Sequence, residues 1–147
     1  MIWVESHNSF EVGAGTGRAP GACMNPKADA LKARTKRFAL DVLSFIDEWP
    51  RRPSNDHVAY QLCKAATSVG ANYRAACRGR SKAEFAAKIG LVLEEADESL
   101  FWLEIADERH VGADLERRRL LAEADELTAI FVRSNVTVRQ SLGSAGR

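Results

Sequence analysis

From Ser68 to Phe85 the chain reads Ser-Val-Gly-Ala-Asn-Tyr-Arg-Ala-Ala-Cys-Arg-Gly-Arg-Ser-Lys-Ala-Glu-Phe, and this segment restricts the possible folds more than any other. Its first part continues a helical pattern of small side chains. Gly79 then stops that helix, as a glycine at the C′ position commonly does. Ser81-Lys82-Ala83-Glu84 follows with the form of a capping box, serine at the N-cap and glutamate at N3, directly before an apolar run. A helix stop and a helix start separated by so few residues specify a tight helical hairpin. No alternating pattern of the kind a strand requires competes with this reading.

Two further breaks divide the rest of the chain. Pro50-Arg51-Arg52-Pro53 ends the helix before it, because proline lacks the amide proton and disfavours helix at the preceding residue. Gly112 ends the third pattern. The sequence therefore predicts four helices. The first runs from about Asp29 to Trp49, and the second, capped by Ser54 or Asn55, to about Arg78. The third extends from the capping box to about Arg109. The fourth starts after Gly112, with Asp114 as its expected cap.

Each helix carries an apolar stripe at spacings of three, four or seven residues. Leu31, Phe38, Val42, Phe45 and Trp49 form the first stripe. Val58, Leu62, Ala65/Ala66, Val69, Tyr73 and Ala76 form the second. Phe85, Ile89, Val92, Ala96, Leu100 and Leu103 form the third, and Leu120, Ala124, Leu127, Phe131 and Val138 the fourth. The row Ala59-Cys63-Ala66-Gly70 consists of small side chains that admit a neighbouring backbone. Short connections between four amphipathic helices make an antiparallel up-down-up-down four-helix bundle the economical all-α fold. The expected bundle covers residues 29–140. A flexible leader is expected over residues 1–28, where Gly13, Gly15, Gly17, Gly21, Pro20 and Pro26 break any period, and a flexible tail over residues 141–147. Met24 precedes the first helical pattern and suggests an alternative translation start that would make residues 1–23 dispensable.

Composition excludes several classes. A chain of 147 residues with 46% hydrophobic and 28% charged content suits a single globular domain with a sizeable core. The net charge of +1 argues against polyanion binding through bulk charge, although segregated charges leave room for a local basic patch. Cys63 and Cys77 fall on one helix about 21 Å apart, far beyond disulfide reach, so a reducing, cytoplasmic setting is expected. No segment approaches the roughly 18 apolar residues of a membrane span, and the N-terminus lacks signal-peptide character. The sequon Asn135-Val136-Thr137 carries no meaning in such a compartment.

No motif announces an enzyme. Gly15-Thr16-Gly17 lacks the Gly-Lys-Ser/Thr of a phosphate loop. Asp107-x-x-His110 is the one spacing related to a di-iron bundle, which needs two Glu-x-x-His pairs. Cysteine and histidine spacings give no zinc site. No catalytic residue, metal or cofactor is expected. Two surfaces stand out instead. Around the second hairpin, Arg74, Arg78, Arg80 and Lys82, with Asn72 and Tyr73 beside them and Lys88 a little further on, could hold phosphates and stack a base. The same cations could equally pair with the run Glu94-Glu95-Ala96-Asp97-Glu98 or with acids of a neighbouring subunit. The short runs Arg51-Arg52 and Arg117-Arg118-Arg119 read as solvated faces, and Arg34, Lys36 and Arg37 as a cationic extension on the first helix. Leu91, Phe101, Trp102 and Ile105 form a second apolar surface on the third helix, away from its core stripe. Burying groups of this size is worth roughly 1.5–3 kcal/mol each, so self-association through them is expected.

The strings Tyr60-Gln61-Leu62, Ala65 through Phe85 and Lys88 through Glu104 resemble the four-helix-bundle proteins encoded by 23S ribosomal RNA intervening sequences. Arg34 through Leu40 and Glu123 through Phe131 add flanking support, so the resemblance spans about residues 29–138. It implies a left-handed antiparallel bundle assembling as a homopentamer, with no established enzymatic activity. The family is also similar to the accessory variability protein of diversity-generating retroelements, a basic pentamer that works with a reverse transcriptase and nucleic acid. Partners implied are therefore the chain itself, and RNA or a nucleic-acid enzyme.

Overall fold

The computed structural model describes residues 25–144, all of them in or between four helices. These are α1 (Pro26–Asp47), α2 (Pro53–Ala76), α3 (Lys82–Glu108) and α4 (Asp114–Ser144). Each packs against its neighbours in the antiparallel order, with α4 closing back on α1. The all-α four-helix architecture expected from the sequence is the one observed. Of the expected leader, residues 1–24 lie outside the described residues. Residues 25–28 belong to α1 and its cap, and residues 141–144 extend α4 where a tail was expected.

Two starts correct the sequence reading. Pro26 does not precede the helix but opens it: Asn25 is the N-cap, and its side chain accepts from the Ala28 amide at 3.2 Å. Proline at N1 loses nothing, because that amide has no intrahelical partner. Pro53 plays the same part in α2, which moves the cap back to Arg52, whose side chain makes no capping bond. Ser54 and Asn55 are therefore inside the helix and not its caps. Asn55 is buried, and its amide donates to the Pro50 carbonyl at 2.9 Å, fastening the break to the helix that follows.

The second hairpin behaves as a capping box with one change. Ser81 Oγ accepts from the Glu84 amide at 3.1 Å, while Glu84 reaches past the cap to accept from the Arg80 amide at 3.0 Å. That bond holds the exposed Glu84 carboxyl below its ordinary range. Gly79 does not adopt the left-handed conformation expected at C′. A side chain would be tightly held there: a Cβ would lie 3.1 Å from the Ala76 carbonyl and 3.3 Å from the Phe85 amide nitrogen.

The left-handed residues occur at the third break instead. His110 has φ 53° and Gly112 φ 76°. His110 N donates to Asp107 O at 3.0 Å and Val111 N to Ala106 O at 2.9 Å, the pair of bonds that defines a Schellman motif. Gly112 leaves no room for a Cβ, which would fall 2.4 Å from Phe45 Cε2 and 2.7 Å from Trp49 Nε1. Asp114 is the first residue of α4 and not its cap, since the Arg117 amide already donates to Ala113 O.

Between the helices the predicted stripes meet. Phe38, Val42, Leu62, Val69, Ile89, Val92, Leu103, Leu120, Leu127 and Phe131 are essentially inaccessible to solvent. The small-residue row does what its side chains allow. Gly70 lies against the backbone of Thr35 in α1, and a Cβ there would touch Thr35 C and O at 3.6 Å.

Candidate functional site

The antiparallel order brings the α2–α3 hairpin, the start of α1 and the end of α4 to one end of the bundle. Arg74, Arg78, Arg80 and Lys82 are exposed there, on the last turns of α2, the connection and the first residue of α3. Arg80 makes the one ion pair of the four, a loose 3.8 Å approach to Glu84 with its side chain 93% exposed. Arg74, Arg78 and Lys82 have no ion-pair partner among the described residues. The carboxylates Glu94 to Glu98 do not reach them, for 12 or more residues of α3 separate Lys82 from that run, about 18 Å of rise.

Tyr73 does not join this cluster. Its ring is buried in the core and meets Phe131 at 5.5 Å, so it offers no face to a base. Burial pushes its phenol well above the ordinary range, with the Cys77 thiol alongside adding to the effect. Burial likewise raises the Cys77 thiol. Asn72 is half-buried beside the cations.

The remaining arginine readings need correction. Arg117 is not on a solvated face. Its side chain is 3% exposed and sits under the third break, where Nε donates to Asp107 at 2.7 Å, Nη1 to the carbonyls of Val111 and Gly112, and Nη2 to Asp114. The fork of the guanidinium thus satisfies both loop carbonyls at once. Its hydrogen bond holds the Asp107 carboxyl below the usual carboxylate range. Arg119 bridges Glu116 to Asp41 of α1. Arg34 is also committed: it makes a two-pronged bond to Glu123 at 2.7 and 2.8 Å and a further one to Glu126, clamping α1 to α4. Its guanidinium is raised by the Glu123 hydrogen bond above all.

The second apolar surface divides in two. Leu91 and Phe101 are about half exposed on the outside of α3, at 48% and 49%. Trp102 and Ile105 lean further in and pack partly against the core. Trp102 meets Phe101 and His57 edge-on and donates to Glu98 at 3.2 Å. Beside them, Glu95 keeps one buried oxygen without a partner, and burial raises its carboxyl, with Glu98 contributing.

A shallow groove of about 230 Å³ between α1 and α4 is lined by Ala30, Leu31 and Ile130 with Lys27 and Arg34 at its edge. Among the described residues no three metal-ligating side chains cluster, and no helix is long and apolar enough to cross a membrane.

These features define an all-α bundle with an exposed cationic hairpin and a half-exposed apolar helix face. Residues 30–133 match the family described as 23S rRNA-intervening sequence protein, and the chain belongs to it. Among solved structures it is similar to a protein of unknown function from the S23 ribosomal protein family of Bacteroides thetaiotaomicron. That likeness has a TM-score of 0.63 and 21% sequence identity, over 74% of this chain and 96% of the other. No curated protein matches.

Proposed function

We propose that the protein is a non-enzymatic scaffold that self-associates, as a homopentamer, through the outer face of α3 and presents the α2–α3 hairpin to RNA or a ribonucleoprotein partner in the cytoplasm. One observation supports this most: Arg74, Arg78 and Lys82 stand exposed with no ion-pair partner among the described residues, whereas Arg34, Arg117 and Arg119 are committed to carboxylates. Exposed cations clustered without a carboxylate partner suit an external anion. The test is RNA binding across a salt series with the double charge reversal Arg78→Glu and Arg80→Glu. Affinity should fall, and the salt dependence should flatten by about one log–log unit for each phosphate no longer neutralised. Unchanged binding would remove RNA from the reading.

A second reading has its own support. Glu94, Asp97 and Glu98 on α3 make no ion pair among the described residues, so a neighbouring subunit's hairpin cations could meet them. On that reading the assembly is purely structural, and Arg78→Glu lowers the particle mass without affecting any ligand.

A further inference from the structure

Splitting each helix at its midpoint separates the charges of the described residues sharply. The half that contains the α2–α3 hairpin, the start of α1 and the end of α4 holds eleven lysines and arginines against three acids, a net +8. The opposite half holds eight against fifteen, a net −7. The net charge of +1 for the whole chain conceals a strongly polar molecule.

The basic half extends beyond the hairpin. Lys27 of α1 and Arg133 of α4 are exposed and have no ion-pair partner among the described residues. Arg139 of α4 reaches across toward Gly90 of α3 and donates to Asn135, with no ion-pair partner among the described residues. Lys32 of α1 lies close enough to Cys77 of α2 to influence its thiol, so the α1 cations adjoin the hairpin. With helix axes about 8–10 Å apart, the end of such a bundle is roughly 20 Å wide.

Among the described residues, the same half shows no exposed aromatic ring. Tyr73, Phe85 and Phe131 are all buried, and the exposed aromatics Tyr60 and Phe101 belong to the acidic half. Proteins that hold single strands combine cations with aromatic platforms for the bases. Duplex RNA is instead held through its phosphates and its shape.

We infer that the basic end of the bundle docks the phosphate backbone of a nucleic-acid duplex, using cations of all four helices and reading no bases. This rests on the RNA-binding reading above and specifies its ligand. Charge complementarity selects the occupant, and the lack of a stacking platform among the described residues of this end selects the duplex form.

The test is fluorescence anisotropy with the full chain, a blunt 20-base-pair RNA duplex, a scrambled duplex and each isolated strand, from 50 to 200 mM KCl. The two duplexes should bind equally and at least as tightly as the strands. With about five phosphate contacts, affinity should drop several hundred-fold across that salt range. The pair Arg133→Glu and Arg139→Glu on α4 should weaken binding at least tenfold, while Arg51→Glu with Arg52→Glu in the acidic half should not. Circular dichroism of each variant checks that the bundle is intact. Strands bound tenfold more tightly than duplex, or α4 reversals without effect, would overturn the duplex inference and leave the hairpin reading standing. No binding to any RNA would overturn both. Polyglutamate competing as well as duplex at equal charge would point to an acidic protein partner and overturn the nucleic-acid assignment.

Discussion

Arg117 shows how much a single residue can decide in this fold. Its buried guanidinium supplies the hydrogen bonds that the α3–α4 connection would otherwise lack. Arg117→Ala strands the Val111 and Gly112 carbonyls and should cost about 2–3 kcal/mol in urea unfolding, whereas Arg118→Ala, at a side chain 72% exposed, should cost almost nothing. Two adjacent arginines thus have opposite expectations, and run length in the sequence could not separate them. The flanking acids Asp107 and Asp114 are the signal that was present, since Asp107 approaches Arg117 from across the connection and Asp114 from one turn earlier in α4. Gly70 carries a contrary prediction. A methyl there would make ordinary contact with Thr35, so Gly70→Ala should raise stability by up to about 1 kcal/mol through helix propensity, measurable as a higher denaturation midpoint. A larger side chain such as leucine should reverse the sign. Glu95 adds a pH dependence. Its carboxyl is raised in the fold, so its contribution favours the folded state at low pH and is lost as pH rises from the ordinary carboxylate range through the folded value. Glu95→Gln should therefore stabilise at neutral pH, with the difference vanishing below about pH 4. Equal stabilities at pH 7 would refute this.

At the scale of the elements, the apolar stripes were legible because every helix buries one face in a period near 3.6 residues. The capping box was legible for a similar reason: Ser81 and Glu84 act locally. Ser81→Ala should cost about 1 kcal/mol as a loss of helix capping, read from thermal unfolding. What the sequence could not reveal were the ends set by tertiary space. Gly79 looks like a left-handed cap and is instead a point of close backbone approach, while His110 takes the left-handed position without being glycine. Pro26 and Pro53 look like barriers and are first residues of helices. Local residue preference names the type of boundary, and packing decides its place. Tyr73 failed as a site residue on the same ground. Its position on the inward stripe of α2 already outweighed its closeness in sequence to the cations.

For the whole molecule, the charge separation emerges only once the antiparallel order is known. Lys27, Arg78 and Arg133 are far apart in sequence and share one end because α1 and α3 start where α2 and α4 finish. Whole-chain net charge averages that away. The hairpin cations were legible from the sequence, but their lack of partners was not, because ion pairs such as Arg34 with Glu123 span 89 residues. The outer face of α3 completes the picture. Its half-exposed Leu91 and Phe101 lie in the opposite half from the hairpin or near the boundary, so assembly through α3 can leave the basic ends uncovered. Light scattering of the intact chain tests that assembly most directly. A particle of about five times the 16.2 kDa chain mass is expected, falling to the single-chain mass in the Leu91→Glu, Phe101→Glu double variant with its helix content retained. A monomeric unsubstituted protein at micromolar concentration, or a variant with undiminished mass, would contradict the account.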